Sequence, residues 1–245
     1  MELLTAFLMC LSMFTVIPCR VRRWDDALKP LMTAMLPVVG LVTGGVWLLA
    51  ARIACAVLPR LLAAIVVTAV PYLITGYMHL DGFMDTVDAV RSWRGLEERR
   101  AILKDVHCGA FAVVSLALLL LGMFAASAEL IGRDMRMLLL IPVIARAMSA
   151  IAVSVLRPLG HSQYAATDSG RYVAACAAVL AALACVAAAV WIGLDALIVA
   201  AAVMVAYWAA MARAFRSLKG VSGDLAGYAL SLAEFAGVAV MACIH

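Results

Sequence analysis

The sequence has few charged residues, few aromatic residues and no closely spaced cysteine pair. Charged residues make up 14% of its 245 positions and aromatic residues 7%, whereas 67% are hydrophobic and the mean hydropathy is +1.08. A soluble domain is usually about half apolar, so this composition excludes that class. Without a CxxC pair, the seven cysteines are predicted to be small buried hydrophobic residues. The net charge of +4 comes from basic residues at the ends of apolar runs, so we expect no nucleic-acid partner.

The sequence consists largely of long apolar runs. A helix needs about 20 apolar residues to cross a bilayer, and all runs but the first approach that length. They show no two-residue alternation, which excludes a β-barrel. We predict an all-α, polytopic membrane helix bundle with about 7–8 spans, forming one domain over residues 1–245. The runs cover 3–18, 31–51, 61–79, 109–131, 137–156, 172–192, 194–212 and 225–244.

The basic residues indicate on which side of the membrane each loop lies. If all eight runs cross, the loops alternate between the two sides, and fourteen Arg and Lys fall on one side against four on the other. Cytoplasmic loops carry such an excess, so the first side is predicted to be cytoplasmic. The fourteen are Arg20, Arg22, Arg23, Lys29, Arg91, Arg94, Arg99, Arg100, Lys104, Arg157, Arg171, Arg213, Arg216 and Lys219.

Three aspartates stand at the end of the third apolar run. Asp81, Asp85 and Asp88 occupy positions i, i+4 and i+7, so they share one stripe of a helix, with His79 just before them. Like charges one helical turn apart repel each other, and a bound divalent cation would remove that repulsion. Hard carboxylate oxygens suit Mg²⁺. The stripe therefore predicts a magnesium site.

A short polar segment, Lys104-Asp105-Val106-His107, leads into the fourth run. One interpretation is that Lys104 contacts a phosphate and Asp105 completes the metal shell. The alternative is a helix-start cluster in which Asp105 and Gly109 only shape the turn. The sequence leaves both interpretations open.

Three charged residues farther along the chain are also candidates. Arg146 and Glu234 lie inside apolar runs, where a charge is costly and needs a partner, and each is the obvious partner of the other. Asp224 follows Gly223 at the start of the last run, where backbone N–H groups would be able to approach a phosphate. An aspartate at this position is also a common N-cap.

The chain resembles the adenosylcobinamide-GDP ribazoletransferases, the membrane-bound cobalamin synthases, over nearly its whole length. The most specific element is HLDGxxDTxD, which residues 79–88 match in full. A KDxxxGxF element is matched within 104–111, and a GxxGDxxG element within 220–227, with Glu234 following. The positions that depart from the family pattern are Val16, His107 and Ser231.

The resemblance implies a reaction and its partners. Adenosylcobinamide-GDP would transfer its phosphocorrinoid to α-ribazole or α-ribazole 5′-phosphate, and GMP would leave. The implied cofactor is Mg²⁺, and the implied location is the cell membrane of a bacterium or archaeon, with the active site on the cytoplasmic side of the lipid bilayer. A homo-oligomer, or an association with other cobalamin-assembly enzymes, is compatible with this assignment.

The resemblance also assigns roles to individual residues. The base that takes the proton of the ribazole hydroxyl stays open among His79, His107 and the aspartates. The predicted metal ligands are Asp81, Asp85, Asp88 and Asp105, and Asp224 is the alternative to Asp105 for completing the metal shell. The predicted catalytic residues are the first four of these together with His79 and Lys104. The residues predicted to contact substrate or phosphate are Lys104, His107, Arg146, Gly223, Asp224 and Glu234.

Two other functions stay open at this point. A CDP-alcohol phosphotransferase also holds metal with aspartates, but its signature carries an Ala-Arg pair where Met84-Asp85 follows Phe83 in this chain. A transporter would use Arg146 and Glu234 as a coupling pair. Carriers often show an internal repeat, and none is visible in this sequence.

Overall fold

A computed structural model describes residues 1–19, 24–160 and 170–244, so Arg20, Arg22 and Arg23 lie outside the described residues. Within these ranges the chain is all-α, which confirms the predicted fold class; the only other regular features are a 3₁₀ turn at Asp26–Leu28 and an isolated bridge between Pro158 and Val221. The helices are α1 (Glu2–Phe14), α2 (Lys29–Ala34), α3 (Leu36–Val57), α4 (Arg60–Ile74), α5 (Met78–Arg91), α6 (Leu96–Ile102), α7 (Ala110–Leu130), α8 (Met137–Val155), α9 (Gly170–Trp191), α10 (Ala196–Leu218) and α11 (Gly223–Ile244).

Six of the described helices are long and apolar enough to cross a bilayer, namely α3, α7, α8, α9, α10 and α11. A seventh span exists only if the bent pair α4 and α5 is counted as one. The first run, predicted to be short, forms a helix of only 13 residues. Large apolar side chains such as Leu121, Leu183 and Val186 are exposed on these helices, as contact with lipid requires. The protein is therefore a multi-pass membrane protein.

The run at 61–79 does not form one continuous span, which corrects that part of the prediction. The helix α4 ends at Ile74 because Gly76 and Tyr77 adopt left-handed conformations, with φ of 59° and 64°. The next helix, α5, leaves at an angle of 86° to α4. As a result, Asp81 lies in the first turn of a new helix, where the positive end of the helix dipole favours a carboxylate.

The helix α8 lies at the centre of the bundle, and 83% of its apolar stretch is buried. It packs against α3, α9, α10 and α11. Its fully buried side chains include Leu138, Ile141 and Ile144, which belong to the main hydrophobic core. Arg146 lies on this same helix, so its guanidinium group must find its partners inside the protein.

Two hydrogen bonds between residues distant in sequence show which helix ends lie together. At one end, the Arg100 side chain donates a hydrogen bond of 3.2 Å to the carbonyl of Leu218, which joins α6 to the end of α10. At the other end, Arg60 donates one of 3.0 Å to the carbonyl of Ala128, which joins α4 to the end of α7. The loops rich in basic residues belong to the first group.

Candidate active site

A cavity of about 200 Å³ opens where the ends of α1, α3, α5 and α11 surround the C-terminal half of α8. Its polar lining includes His79 and Asp81 from α5, Arg146 from α8 and Asp224 from α11; we call these four residues the cavity cluster. Gly223 also lines the cavity. Five of the residues predicted from three distant segments of the sequence therefore meet at one place.

Close packing of α5 on α11 brings the cavity cluster together. A Cβ atom on Gly82 would lie only 2.8 Å from Cα of Asp224, and one on Gly227 would lie 3.2 Å from Cα of His79. The Ser231 hydroxyl donates a hydrogen bond of 3.2 Å to the carbonyl of His79. Glycine at two facing positions is what allows Asp81 and Asp224 to line the same cavity.

Asp85 lies one turn beyond Asp81, on α5, outside the six membrane-spanning helices. Its partial burial and, to a smaller extent, the negative charges of Asp81, Asp224 and Asp88 raise the pKa of Asp85 to about 6. The carboxylates of α5 and α11 are therefore close enough to repel one another. A bound cation would relieve this repulsion.

The donor atoms in this region suit Mg²⁺, but they are not gathered into a finished binding site. Asp81, Asp85 and Asp224 supply hard oxygen ligands, which Mg²⁺ prefers. Within the described ranges, no three His, Cys, Asp or Glu side chains are grouped so that they could hold an ion. A magnesium ion would have to draw the carboxylates together, and the metal site stays a prediction.

The third aspartate of the stripe points to a different partner. Asp88 accepts hydrogen bonds from the backbone N–H groups of Gly109, at 2.7 Å, and Ala112, at 2.9 Å, and so caps the start of α7. Sequence reasoning missed this cap because its acceptor lies 21 residues before Gly109. Each carboxylate oxygen keeps a second lone pair, so the predicted role of Asp88 as a metal ligand stays a prediction.

The predicted pairing of Arg146 with Glu234 is confirmed. The Nη1 atom of Arg146 lies 2.9 Å from Oε1 of Glu234, and the two side chains are only 2% and 3% exposed. Arg146 lines the cavity, whereas Glu234 lies behind it. The Nε atom of Arg146 is buried and has no hydrogen-bond partner among the described residues. Glu234 thus holds a guanidinium group that still has a donor free for a ligand.

His79 is almost fully buried beside Arg146. Burial and, to a smaller extent, the positive charge of Arg146 lower the pKa of His79 to about 3. Its imidazole is therefore neutral near pH 7 and a weak base. A general base works best when its pKa lies near the working pH, which disfavours His79 in this role.

Lys104, Asp105 and His107, which we call the loop cluster, lie in the exposed connection before α7. Asp105 accepts hydrogen bonds from the backbone N–H of His107, at 3.0 Å, and from its Nδ1 atom, at 2.7 Å, when that nitrogen carries the proton. Both contacts lower the pKa of Asp105, and the backbone hydrogen bond has the larger effect. None of the three residues is among those that line the cavity. Their predicted contacts with metal and phosphate stay predictions.

Comparison with known proteins agrees with this arrangement. The sequence model of the family described as cobalamin-5-phosphate synthase matches residues 6–242. An adenosylcobinamide-GDP ribazoletransferase of Clostridium perfringens is 35% identical over 96% of both chains. One from Clostridium botulinum is 30% identical over 97% of this chain and 96% of its own, and one from Pseudomonas fluorescens is 37% identical over 81% and 82%. No solved structure matches. On the family match and these relatives together, the chain belongs to the cobalamin-5-phosphate synthase family.

Proposed function

We propose that this protein is an adenosylcobinamide-GDP ribazoletransferase. It joins the phosphocorrinoid of adenosylcobinamide-GDP to α-ribazole or α-ribazole 5′-phosphate and releases GMP. The observation that carries the proposal is the cavity in which Asp81 and Asp224 face a guanidinium group held by a buried carboxylate. Carboxylates that can hold a cation, set opposite a fixed arginine, suit a diphosphate substrate.

The reaction exchanges one phosphate linkage for another. A hydroxyl oxygen of α-ribazole forms a bond to the phosphorus that carries the corrinoid, and the bond from that phosphorus to the bridging oxygen breaks. GMP leaves with the bridging oxygen. The hydroxyl proton passes to an aspartate that does not hold the cation, or to His107, because burial lowers the pKa of His79 to about 3 and makes its imidazole a weak base.

Asp81, Asp85 and Asp224 would hold the magnesium ion. When bound, Mg²⁺ neutralises charge on the diphosphate and on the departing GMP. Arg146, whose Nη1 is held by Glu234, donates a hydrogen bond to a phosphate oxygen from one of its remaining N–H groups. Since the carboxylate of Glu234 is already committed to Arg146, its part in the reaction is to position that arginine.

The size and position of the cavity suggest how the large substrate binds. Pockets for drug-sized ligands usually hold about 300–1,000 Å³, whereas this cavity holds about 200 Å³. The diphosphate therefore enters and the corrinoid ring stays outside, along the membrane surface. The cavity opens at the end of the bundle with the excess of basic loops, which supports a cytoplasmic active site in the membrane of a bacterium or archaeon.

The direct test is GMP release by the purified protein in lipid nanodiscs. With Mg²⁺ and adenosylcobinamide-GDP, we expect GMP to form only when α-ribazole or its 5′-phosphate is added. Asp81→Asn should lower the rate by about 10²–10³-fold, because several kcal/mol of charge stabilisation are lost. Asp195→Asn, an exposed aspartate in the connection before α10, is the matched control and should leave the rate unchanged.

Other results would contradict the proposal. CMP release from CDP-diacylglycerol, with no reaction of the corrinoid substrate, would indicate the CDP-alcohol type of phosphotransferase. Uptake of the corrinoid into vesicles without GMP formation, retained in Asp81→Asn, would indicate a transporter.

A further inference from the structure

A second cavity system lies on the other side of α5, away from the cavity cluster. One part holds about 540 Å³ at the basic end of the bundle, and the other holds about 280 Å³ and extends between α5, α7 and α11. The two parts share the lining residues Val90, Arg91 and Arg213, so they are neighbours. We call the two parts together the basic slot.

The outer part of the basic slot is strongly positive and unneutralised. Four arginines line it, and within the described residues none of them forms an ion pair with a carboxylate. The Nε atom of Arg99 is buried and has no hydrogen-bond partner among those residues. By contrast, the neighbouring Arg94 and Arg100 pair with Glu98 and Glu97. The four lining arginines are Arg91, Arg99, Arg213 and Arg216.

The inner part of the basic slot has the opposite character. Its walls are mainly aliphatic and aromatic side chains from α5, α7 and α11. They include Val87, Leu118, Leu119, Leu232 and Phe235. Leu118 is 66% exposed on the surface of α7 that faces lipid, so the slot is open toward the bilayer. Apart from the shared Arg91 and Arg213, the walls of this part offer a charged ligand no partner, whereas a hydrocarbon chain that lies against them would be removed from water.

The outer part of the basic slot lies at the ends of helices, two of which, α7 and α10, are long and apolar enough to cross a bilayer. Arg91 and Arg216 occupy the last turns of α5 and α10, and Phe111 lies in the first turn of α7. Trp93, which lines the outer part, is 90% exposed. Arginines and aromatic side chains at the ends of spans are typical of the membrane–water interface.

We propose that the basic slot binds an anionic phospholipid. The four arginines hold its phosphate, and one acyl chain lies between α5, α7 and α11. A free phosphate or a nucleotide would satisfy the arginines but would leave the apolar part empty. A phosphatidylcholine would fill the apolar part, but its choline would meet the arginines. Only a lipid with net negative charge matches both parts of the basic slot.

The test is lipid retention measured by native mass spectrometry on the full-length protein in detergent, with phosphatidylglycerol or phosphatidylcholine added. The wild-type protein should keep one phosphatidylglycerol per chain and release phosphatidylcholine. Arg213→Gln/Arg216→Gln should weaken phosphatidylglycerol binding by about thirty-fold, because each basic residue near an anionic headgroup contributes about five-fold. Arg52→Gln/Arg94→Gln removes the same charge outside the basic slot and should change binding less than about three-fold.

A second pair of variants tests the acyl part with all arginines in place. Ser115 lines the inner part of the basic slot, so Ser115→Trp should fill it and also reduce phosphatidylglycerol retention. Val114→Trp places the same ring on an exposed position of the same helix and should leave retention unchanged.

The proposal is overturned if Arg213→Gln/Arg216→Gln binds like its charge-matched control. It is also overturned if GMP or inorganic phosphate displaces the lipid while Ser115→Trp has no effect, since the slot would then hold a small anion. Retention needs no turnover, so this result is independent of the proposed activity.

Discussion

The cavity cluster and the loop cluster were both predicted to serve the active site, but the fold treats them differently. The members of the cavity cluster come from three helices and meet because α5 and α11 approach through Gly82 and Gly227. The loop cluster consists of near neighbours in sequence, and the contacts of Asp105 are with His107, two residues away. Packing therefore removes the first set from bulk water and leaves the second set solvated, where charge interactions are weaker. We expect substitutions in and behind the cavity cluster to have the larger effects.

The largest effect on stability is expected for Glu234→Ala. The substitution leaves the buried Arg146 guanidinium without its counter-charge, which should lower the free energy of unfolding by about 3–5 kcal/mol. Denaturant titration in detergent measures this change. Arg146→Met/Glu234→Leu should regain most of the stability but release no GMP, which separates the structural role of the pair from its chemical role. Glu129→Ala, which breaks the exposed ion pairs with Arg60 and Arg133, is the control and should cost at most about 1 kcal/mol. Equal losses for Glu234→Ala and Glu129→Ala would contradict this assignment.

Gly82→Ala tests whether close helix packing assembles the cavity cluster. The added Cβ would lie 2.8 Å from Cα of Asp224, so α5 and α11 must separate, at a cost of about 1–3 kcal/mol. The rate of GMP release should fall as well, because Asp81 and Asp224 would no longer line the same cavity. Gly45→Ala is a matched control, because the nearest atom to its added Cβ is a Leu139 methyl group at 3.9 Å. Circular-dichroism melting of both variants measures the difference. A Gly82→Ala protein as stable as Gly45→Ala would show that the contact is not needed.

The raised pKa of Asp85 predicts a pH dependence of magnesium binding. Protons compete with Mg²⁺ for this carboxylate, so the apparent affinity for Mg²⁺ should fall about ten-fold per pH unit below its pKa of about 6 and level off above it. Magnesium titrations of GMP release, from about pH 5 to about pH 8, measure this slope. Asp85→Asn should bind Mg²⁺ more weakly and lose the slope. A slope that persists in Asp85→Asn would assign the titration to another group.

Asp88 connects the two regions, since it stands on the aspartate stripe but caps α7. Asp88→Ala should cost about 1 kcal/mol, because the backbone N–H groups of Gly109 and Ala112 lose their acceptor. Asp88→Asn keeps one of the two acceptor oxygens, so it should recover about half of that stability and most of the activity. Hydrogen exchange at the first turn of α7 measures the cap directly. If Asp88→Asn abolishes GMP release as fully as Asp81→Asn, Asp88 is a metal ligand as well as a cap.

The smallest effect is expected in the loop cluster. Asp105→Asn removes a contact between exposed groups, so the melting temperature should stay unchanged and GMP release should fall by no more than about five-fold. The same assays measure both quantities. A loss of activity as large as that of Asp81→Asn would mean that the loop cluster reaches the substrate after all, as the sequence predicted.

Several properties could be predicted from the sequence because they depend on local pattern or on the cost of isolated charges. Long apolar runs predict membrane helices, and the structure has six or seven. A buried charge in such a run needs a partner, which predicted the pair of Arg146 and Glu234. The aspartate stripe predicted a polar site, and its first member, Asp81, lines the cavity with Asp224.

The tertiary structure alone decided which neighbour each of these residues meets. The 86° turn after α4 and the glycine contacts between α5 and α11 set Asp81 toward the cavity, while Asp88 turns to the start of α7. The four arginines of the basic slot come from α10 and from the end of α5 through α6, and only the packing of these helices brings the two groups together. Hydropathy and charge cost are properties of short segments, so the sequence by itself determined the class of fold and the need for a counter-ion. The partner of each side chain depends on how helices distant in sequence pack, and only the assembled bundle determines that.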